Sequence, residues 1–449
     1  MGGLSKHVNN VELAIFDVRL QSEPKKSSHS VSIPRIHGFT ILTLMIRRLI
    51  FSFAVLWLSF LSCQKAICQI KVEAIQLPSR LRTAPQWQQD QYRIETAIDV
   101  AHKATKKIGR NVTVYLSSGD LVRSSADENI NSAKGSGYEF KVKTYRLRRP
   151  VVVPGGVVLA GEGLGRREAR LLWEDCQSNS ALLIFRSGFG GGLRNVDIRL
   201  ASNLKNRTNV TALYLQSQSS AVFRDFAINL SNIGPDSNGI VIARLGPNQT
   251  NNESLKFQDF NISASRPVII MSGDNLHFEN FDCICSMPVR EGLSAIFQNW
   301  NGNPPGNWTI GPGTGQKGDH AIALTGTTNR RGTSLVVFGY QWEQGSGKGP
   351  AWLFDIDHPG QTNPDIRAHF IESLTMINCR NARQKQSPDY VSVRLPDDSY
   401  LKAEIIGGFF HGKMDIGRPR WSNKPQKTNS PPSKKTTLEK LRVSGKRLQ

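Results

Sequence analysis

From residue 110 onward, apolar and polar positions alternate in short runs, and the three-to-four spacing of a helix is nearly absent. Four runs share one register: GLRNVDI (192–198), AVFRDFAI (221–228), LKFQDFNI (255–262) and NLHFENFDC (275–283). In each, an apolar residue (Leu193, Phe223, Phe257, Phe278) is followed two positions on by Asn195, Asp225, Asp259 or Asn280. A second apolar residue comes next (Val196, Phe226, Phe260, Phe281), and a third two positions later (Ile198, Ile228, Ile262, Cys283). Weaker copies are Val337-Gly339-Tyr340-Trp342, Ile371-Ser373-Leu374-Met376 and Ile406-Gly408-Phe409-His411. Asn, Asp and Gly share tolerance of a tight or left-handed backbone but no acid chemistry. Asp259 is therefore expected to be a kink between two strands, not a catalytic carboxylate.

Between the copies lies a second set of strand-like segments: SALLIF (180–185), TALYLQ (211–216), GIVIAR (239–244), PVIIMS (267–272), SAIFQN (294–299), AIALTG (321–326) and AWLFDID (351–357). The repeat length varies from 21 to 34 residues among the four strong copies. Short strands, loops of variable length and a sharp kink predict a solenoid of parallel strands whose equivalent residues stack about 4.8 Å apart. Cys283 and Cys285 fall on interior positions, so they are expected to be core residues. No CxxC pair and no zinc-type spacing is present.

Ahead of the repeats, YRIETAIDVAHKATKKIG places Ile94, Ala97, Ile98, Ala101 and Ile108 on one helical face. The strand VTVYL (112–116) and then LRRPVVVPGGVVLAGEG (147–163) follow. This helix, strand and VPGGVVLAGEG coil resemble the start of secreted proteins of the pectate-lyase-like (pectin-lyase fold) superfamily, over roughly residues 90–416. The resemblance implies an all-β, right-handed parallel β-helix with an N-terminal capping helix. It implies no single activity, because lyases, glycoside hydrolases, epimerases, tailspikes and non-catalytic adhesins share the fold. The polygalacturonase-like set of paired aspartates, Gly-His-Gly and Arg-x-Lys is not present as a set. The Arg-x-Pro-x-x-Arg of calcium pectate lyases is missing too, so Ca would be a cofactor by family analogy only, and no cofactor is evident from the residues.

Outward strand positions are where chemistry would face a ligand. The outward series of the second strand set is expected to be Leu183/Phe185, Tyr214/Gln216, Val241/Ala243, Ile269/Met271, Phe297, Ala323/Thr325 and Leu353/Asp355, a face poor in acids. One coil differs. In AWLFDIDHPG, inward Trp352, Phe354 and Ile356 leave Asp355 and Asp357 on the outer face, followed by His358. Carboxylates at i and i+2 of a strand lie about 7 Å apart, within the separations used in glycoside hydrolysis. Asp355, Asp357 and His358 are the candidate catalytic residues, and the stretch resembles the Trp-Ile-Asp-His of pectate lyases. Arg394, expected beside Asp355 from YVSVRLPDD (390–398), and Tyr214 are candidate substrate-binding residues. A plain cross-coil ion pair and a turn before Pro359 are the competing explanations. Glu343, Glu372 and His411 are lesser candidates, each expected at a solvated rim.

Charge and export signals bound the rest. The formal net charge is +21, but the ends carry much of it. Residues 417–449 hold ten Lys/Arg against one Asp/Glu, and residues 1–68 hold eight against three. That distribution is weak evidence for a nucleic-acid partner, and no specific nucleic acid is expected. Arg47 and Arg48 precede the apolar run LIFSFAVLWLSFL (49–61), shorter than a bilayer-spanning helix. Residues 45–68 are expected to be a signal peptide cleaved after Cys68, with a signal anchor as the alternative and 1–44 a doubtful upstream extension. Residues 69–149 form the N-terminal cap region, 150–416 the β-helix and 417–449 a basic disordered tail. The eight Asn-x-Ser/Thr sequons from Asn111 to Asn307 carry no inference. The expectation is an exported protein that binds or degrades polysaccharide, as a polysaccharide lyase or glycoside hydrolase. The alternative is a non-catalytic surface, matrix or adhesin-like protein.

Overall fold

The computed structural model describes residues 69–123, 138–163, 169–243, 252–290, 293–300, 306–325, 334–343, 349–354, 371–382, 390–396, 400–417 and 441–447. Two parallel sheets, of ten and nineteen strands, run the length of the repeats. Each coil adds one strand to the ten-stranded sheet and two strands, separated by a kink, to the nineteen-stranded sheet. The strands Ala181–Phe189, Thr211–Ser219, Asn238–Ala243, Arg266–Ile270, Ala295–Trp300, His320–Thr325 and Trp352–Leu353 are consecutive members of the ten-stranded sheet. This is a parallel β-helix, the class predicted from the alternating runs.

The kink column is left-handed in the four strong copies. Asn195, Asp225, Asp259 and Asn280 have φ between 52° and 55°, and Gly339 follows at 55°. The backbone N–H of each turn residue donates to the next coil: Asp225 to the Gln258 carbonyl at 3.1 Å, Asn280 to Pro312 at 2.8 Å. Later copies shift. Ser373 lies within the strand Ile371–Ile377 and pairs with Ser334. The kink there is Asn378, φ 51°, because the apolar spacing of 371–376 repeats the motif ahead of the true bend. In the last copy Gly407 and Gly408 both turn, at 64° and 89°, and the register slips.

One coil carried no recognisable motif. Gly306–Ile310 and Gly313–Gln316 pair between the Phe278/Phe281 coil and the Val337/Tyr340 coil. Gly313 occupies the column of Phe281 and Tyr340, and a Cβ there would sit 2.6 Å from the Phe281 ring. With no side chain between them, Phe281 and Tyr340 meet edge-to-face at 5.0 Å across two coils.

The interior is filled by ladders of like residues. Phe223, Phe257 and Phe278 stack at 5.0 and 4.8 Å, and Phe226, Phe260 and Phe281 at 5.3 and 5.7 Å. From the opposite sheet Leu213, Ile240, Val268, Phe297, Ile322, Trp352 and Val393 close the core, all buried. Cys283, Cys285 and Cys379 are free thiols in this core, as is Cys176. Burial raises all four thiol pKa values, to about 12 for Cys285 and Cys379.

The helix Gln86–Ile108 covers the open end with Ile94, Ala97, Ile98 and Ala101 buried, and ends on left-handed Gly109. Its buried polar residues serve the exposed strand edge. Asp90 accepts from the Arg146 backbone N–H at 2.8 Å, and Gln91 from Arg148 and Arg149 at 3.3 Å. These contacts satisfy donors that would otherwise template a further strand. The other end is closed differently. Part of the basic tail, expected to be disordered, forms the strand Leu441–Arg447 against Tyr400–Phe410. The last coil leaves backbone donors and acceptors unpaired, and a following segment of any composition can satisfy them. No helix among the described residues is long and apolar enough to cross a membrane. The apolar run 49–61 and the proposed cleavage point lie outside the described residues.

Candidate functional site

Asp355, Asp357 and His358 lie outside the described residues; Arg394 and Tyr214 lie within them. Both belong to the outer row of the ten-stranded sheet, which runs Val152, Ile184, Tyr214, Val241, Ile269, Gln298, Ala323, Leu353, Arg394, Asp415. Arg394 is paired with Leu353, two residues before Asp355, and its Nε lies 3.7 Å from Asp415. Six strand steps separate it from Tyr214, on the order of 29 Å. The two do not share a site. Tyr214 packs instead on a small outer cluster of Val241, Ala243 and Ile269.

The expected parity of this face needs correction in two coils. Leu183, Phe185 and Phe297 point inward and are buried. Their outward neighbours are Ile184, Arg186 and Gln298. Runs that are apolar at successive positions, such as Leu182-Leu183-Ile184-Phe185, do not reveal their own parity; the cross-strand register does. The face is still poor in acids. Of the lesser candidates, half-buried Glu343 accepts from Gln341, and His411 packs edge-to-face on Phe409 at 4.6 Å.

A different face gathers polar chemistry. After the kink, outward positions of the nineteen-stranded sheet form two rows. One reads Arg170, Asp197, Ala227, Asn261, Asp282, Thr314, Gln341, Arg380. The other reads Leu172, Arg199, Asn229, Ser263, Ile284, Gln316, Glu343. A groove of about 170 Å³ lies on them, lined by Asp197, Arg199, Asn229, Asn261, Ser263 and Asp282 with intervening apolar atoms. Small Ala227 forms part of its floor, 5% exposed.

Asp197 anchors one end. It is 1% exposed, and its Oδ2 accepts from Arg170 Nε at 3.0 Å and Arg199 Nε at 2.8 Å. Its Oδ1 is buried with no hydrogen-bond partner among the described residues. At the other end Asp282 accepts from Thr314 Oγ1 at 2.7 Å. Between them Asn229 accepts from Ser231, while Asn261 and Ser263 are half-buried at the groove wall. Amide, hydroxyl and carboxylate groups at a rise of about 4.8 Å suit an extended ligand with repeating hydroxyls. These residues stand in the aligned repeats two and four places after the kink column, so their signal was present in the sequence.

A larger cavity, about 240 Å³, lies beside Trp173 and Cys176. The arginines that line it are committed: Arg148 to Glu174 and Arg149 to Glu95. No group of three or more acidic, histidine or cysteine side chains among the described residues is placed to hold a metal ion.

With strand order and groove in hand, the fold can be set beside known structures. The chain is a parallel β-helix by its own strand pairing. The A-module of the mannuronan C-5 epimerase AlgE4 of Azotobacter vinelandii is 12% identical, with 73% of this chain and 85% of that chain covered and a TM-score of 0.35. DFA-IIIase of Arthrobacter chlorophenolicus A6 is 10% identical, covering 80% and 87%, at 0.39. The surface adhesin PfbA of Streptococcus pneumoniae is 12% identical, covering 76% and 85%, at 0.36. A Geobacillus virus E2 protein, ORF18, is 10% identical at 0.38, with 72% of this chain matched to 59% of its own length. No family model matches the chain, and no curated protein does. These TM-scores lie below 0.5, so the fold rests on the strand pairing described above and not on the likeness.

Proposed function

We propose that this chain is an exported protein that binds polysaccharide along the outer face of its β-helix. The observation that carries the reading is the groove between Asp197 and Asp282, in which hydroxyl- and amide-bearing side chains recur coil by coil beside apolar floor atoms. Ligand sites combine such apolar floors with a few placed polar groups. Export rests on the Arg47-Arg48 pair and the apolar run that follows.

The enzymatic form adds a second site at the Arg394 strand of the ten-stranded sheet, a lyase or glycoside hydrolase centre with Asp355 and Asp357 as acid and base, His358 assisting and Arg394 facing a substrate carboxylate. The non-catalytic form is a surface or matrix protein that presents the groove face to a glycan. The acid-poor outer row of the ten-stranded sheet favours the second form.

One set of assays tests both. The full chain is titrated against a panel of acidic and neutral polysaccharides, while unsaturated products and reducing ends are followed. Binding without turnover, unchanged in Asp357→Asn, supports the non-catalytic form. Turnover abolished by Asp357→Asn supports the enzymatic one. Binding to no member of the panel overturns the reading.

A further inference from the structure

The Arg170–Asp197–Arg199 group stands at the head of the groove. Two guanidinium groups spend only their Nε on it, and both Nε hydrogens go to one carboxylate oxygen. Neither arginine side chain has another hydrogen bond or ion pair among the described residues. Their terminal amino groups therefore remain free on side chains that are 28% and 37% exposed. The trio carries one net positive charge at a carboxylate that is itself 1% exposed. The second carboxylate oxygen, buried and unpartnered, is an acceptor awaiting a donor. An unmade bond at a buried polar atom costs free energy, and a ligand hydroxyl would recover it.

We propose that this trio is a subsite for a saccharide unit bearing an oxyanion, a carboxylate or a sulfate, at the end of the groove. The inference rests on the polysaccharide reading above and names its substrate class. The free amino groups of Arg170 and Arg199 hold the oxyanion, the arrangement in which planar guanidinium groups bind carboxylate and sulfate-like anions most strongly. Asp197 Oδ1 accepts a ring hydroxyl of the same unit. Asn229, Asn261 and Ser263 receive the units that follow. Asp197 also fixes both arginines by their Nε, so the fork is set before the ligand arrives.

The test is calorimetric titration of the full chain at physiological salt. The probes are an oligogalacturonate and its neutral methyl ester, and a sulfated oligosaccharide with its desulfated form. One or both charged probes should bind about tenfold or more tightly than the neutral partner, and the comparison tells uronate from sulfate. Arg199→Gln and Arg170→Gln should each remove most of that difference. Arg207→Gln, an exposed arginine outside the groove, should change nothing. The charged-versus-neutral comparison needs no variant, so misfolding of a substituted chain does not spare the proposal. Equal affinity for charged and neutral probes overturns this subsite while leaving the polysaccharide reading intact. An equal loss in Arg207→Gln and Arg199→Gln also overturns it, as diffuse attraction to a basic protein. Binding to no probe overturns both.

Discussion

Asn280 has an ordinary polar side chain, an exposed position and an unusual backbone, with φ at 52°. A left-handed conformation costs most L-residues roughly 1–2 kcal/mol, and a β-branched residue more than most. Asn280→Val is expected to destabilise by about that amount and Asn280→Gly by less than half of it, read from urea unfolding midpoints. Equal effects would mean that the side chain's contacts matter and the bend does not. His320 supplies a second residue-scale effect. Burial pushes its pKa below the ordinary 6.5, while the Pro350 carbonyl, 2.6 Å from Nδ1, pulls the other way. Between the lowered folded value and 6.5 the unfolded chain binds the extra proton. Stability is therefore complete above pH 6.5 and falls as the pH drops through that window. Thermal midpoints of the chain and of His320→Gln, taken from pH 8 to pH 5, should converge on acidification; parallel curves would remove His320 as the cause.

At the scale of elements, a strand of one coil is held by the strands before and after it. Phe257 sits between Phe223 and Phe278 and is fully buried. Phe257→Ala is expected to cost about 3–5 kcal/mol, because the cavity adds to the lost transfer energy. Phe189, 75% exposed, should tolerate the same change within about 0.5 kcal/mol. A comparison of denaturation midpoints decides it, and similar losses would contradict the ladder as the main support. The same ladder explains what was legible in the sequence. Stacking puts like residues in register, so the Phe and Asx columns announce themselves, and the capping helix is visible through Ile94, Ala97, Ile98 and Ala101. Gly306–Gln316 was invisible because it fills its Phe column with Gly313 and its kink with Pro312. Two further left-handed columns also escaped notice. Asn179, Asn209 and Asp236 form one, and Ser220, Ser254, Asn275 and Asn307 the other. Loops of unequal length displace them from the motif, and serine does not advertise a bend.

For the whole molecule, the consequence of a solenoid is a site with a length as well as a place. The sequence led to FDIDH because acids there are conspicuous against an apolar strand. The groove from Asp197 to Asp282 is built instead from single residues contributed by four coils, each unremarkable in its own segment. Only the register makes them neighbours. Three coil steps of about 4.8 Å give this row a length of roughly 14 Å. Affinity for a homologous series of oligosaccharides is therefore expected to rise with each added unit until that length is filled, then to level off. Replacing Asn261, in the middle of the row, with leucine should weaken the longer members and leave the shortest unaffected, provided the shortest occupies the arginine end. Calorimetry across the series measures both effects. Affinity that climbs without levelling would place the ligand along the full helix instead of in this groove. Affinity already maximal for the shortest member would reduce the site to the arginine end alone.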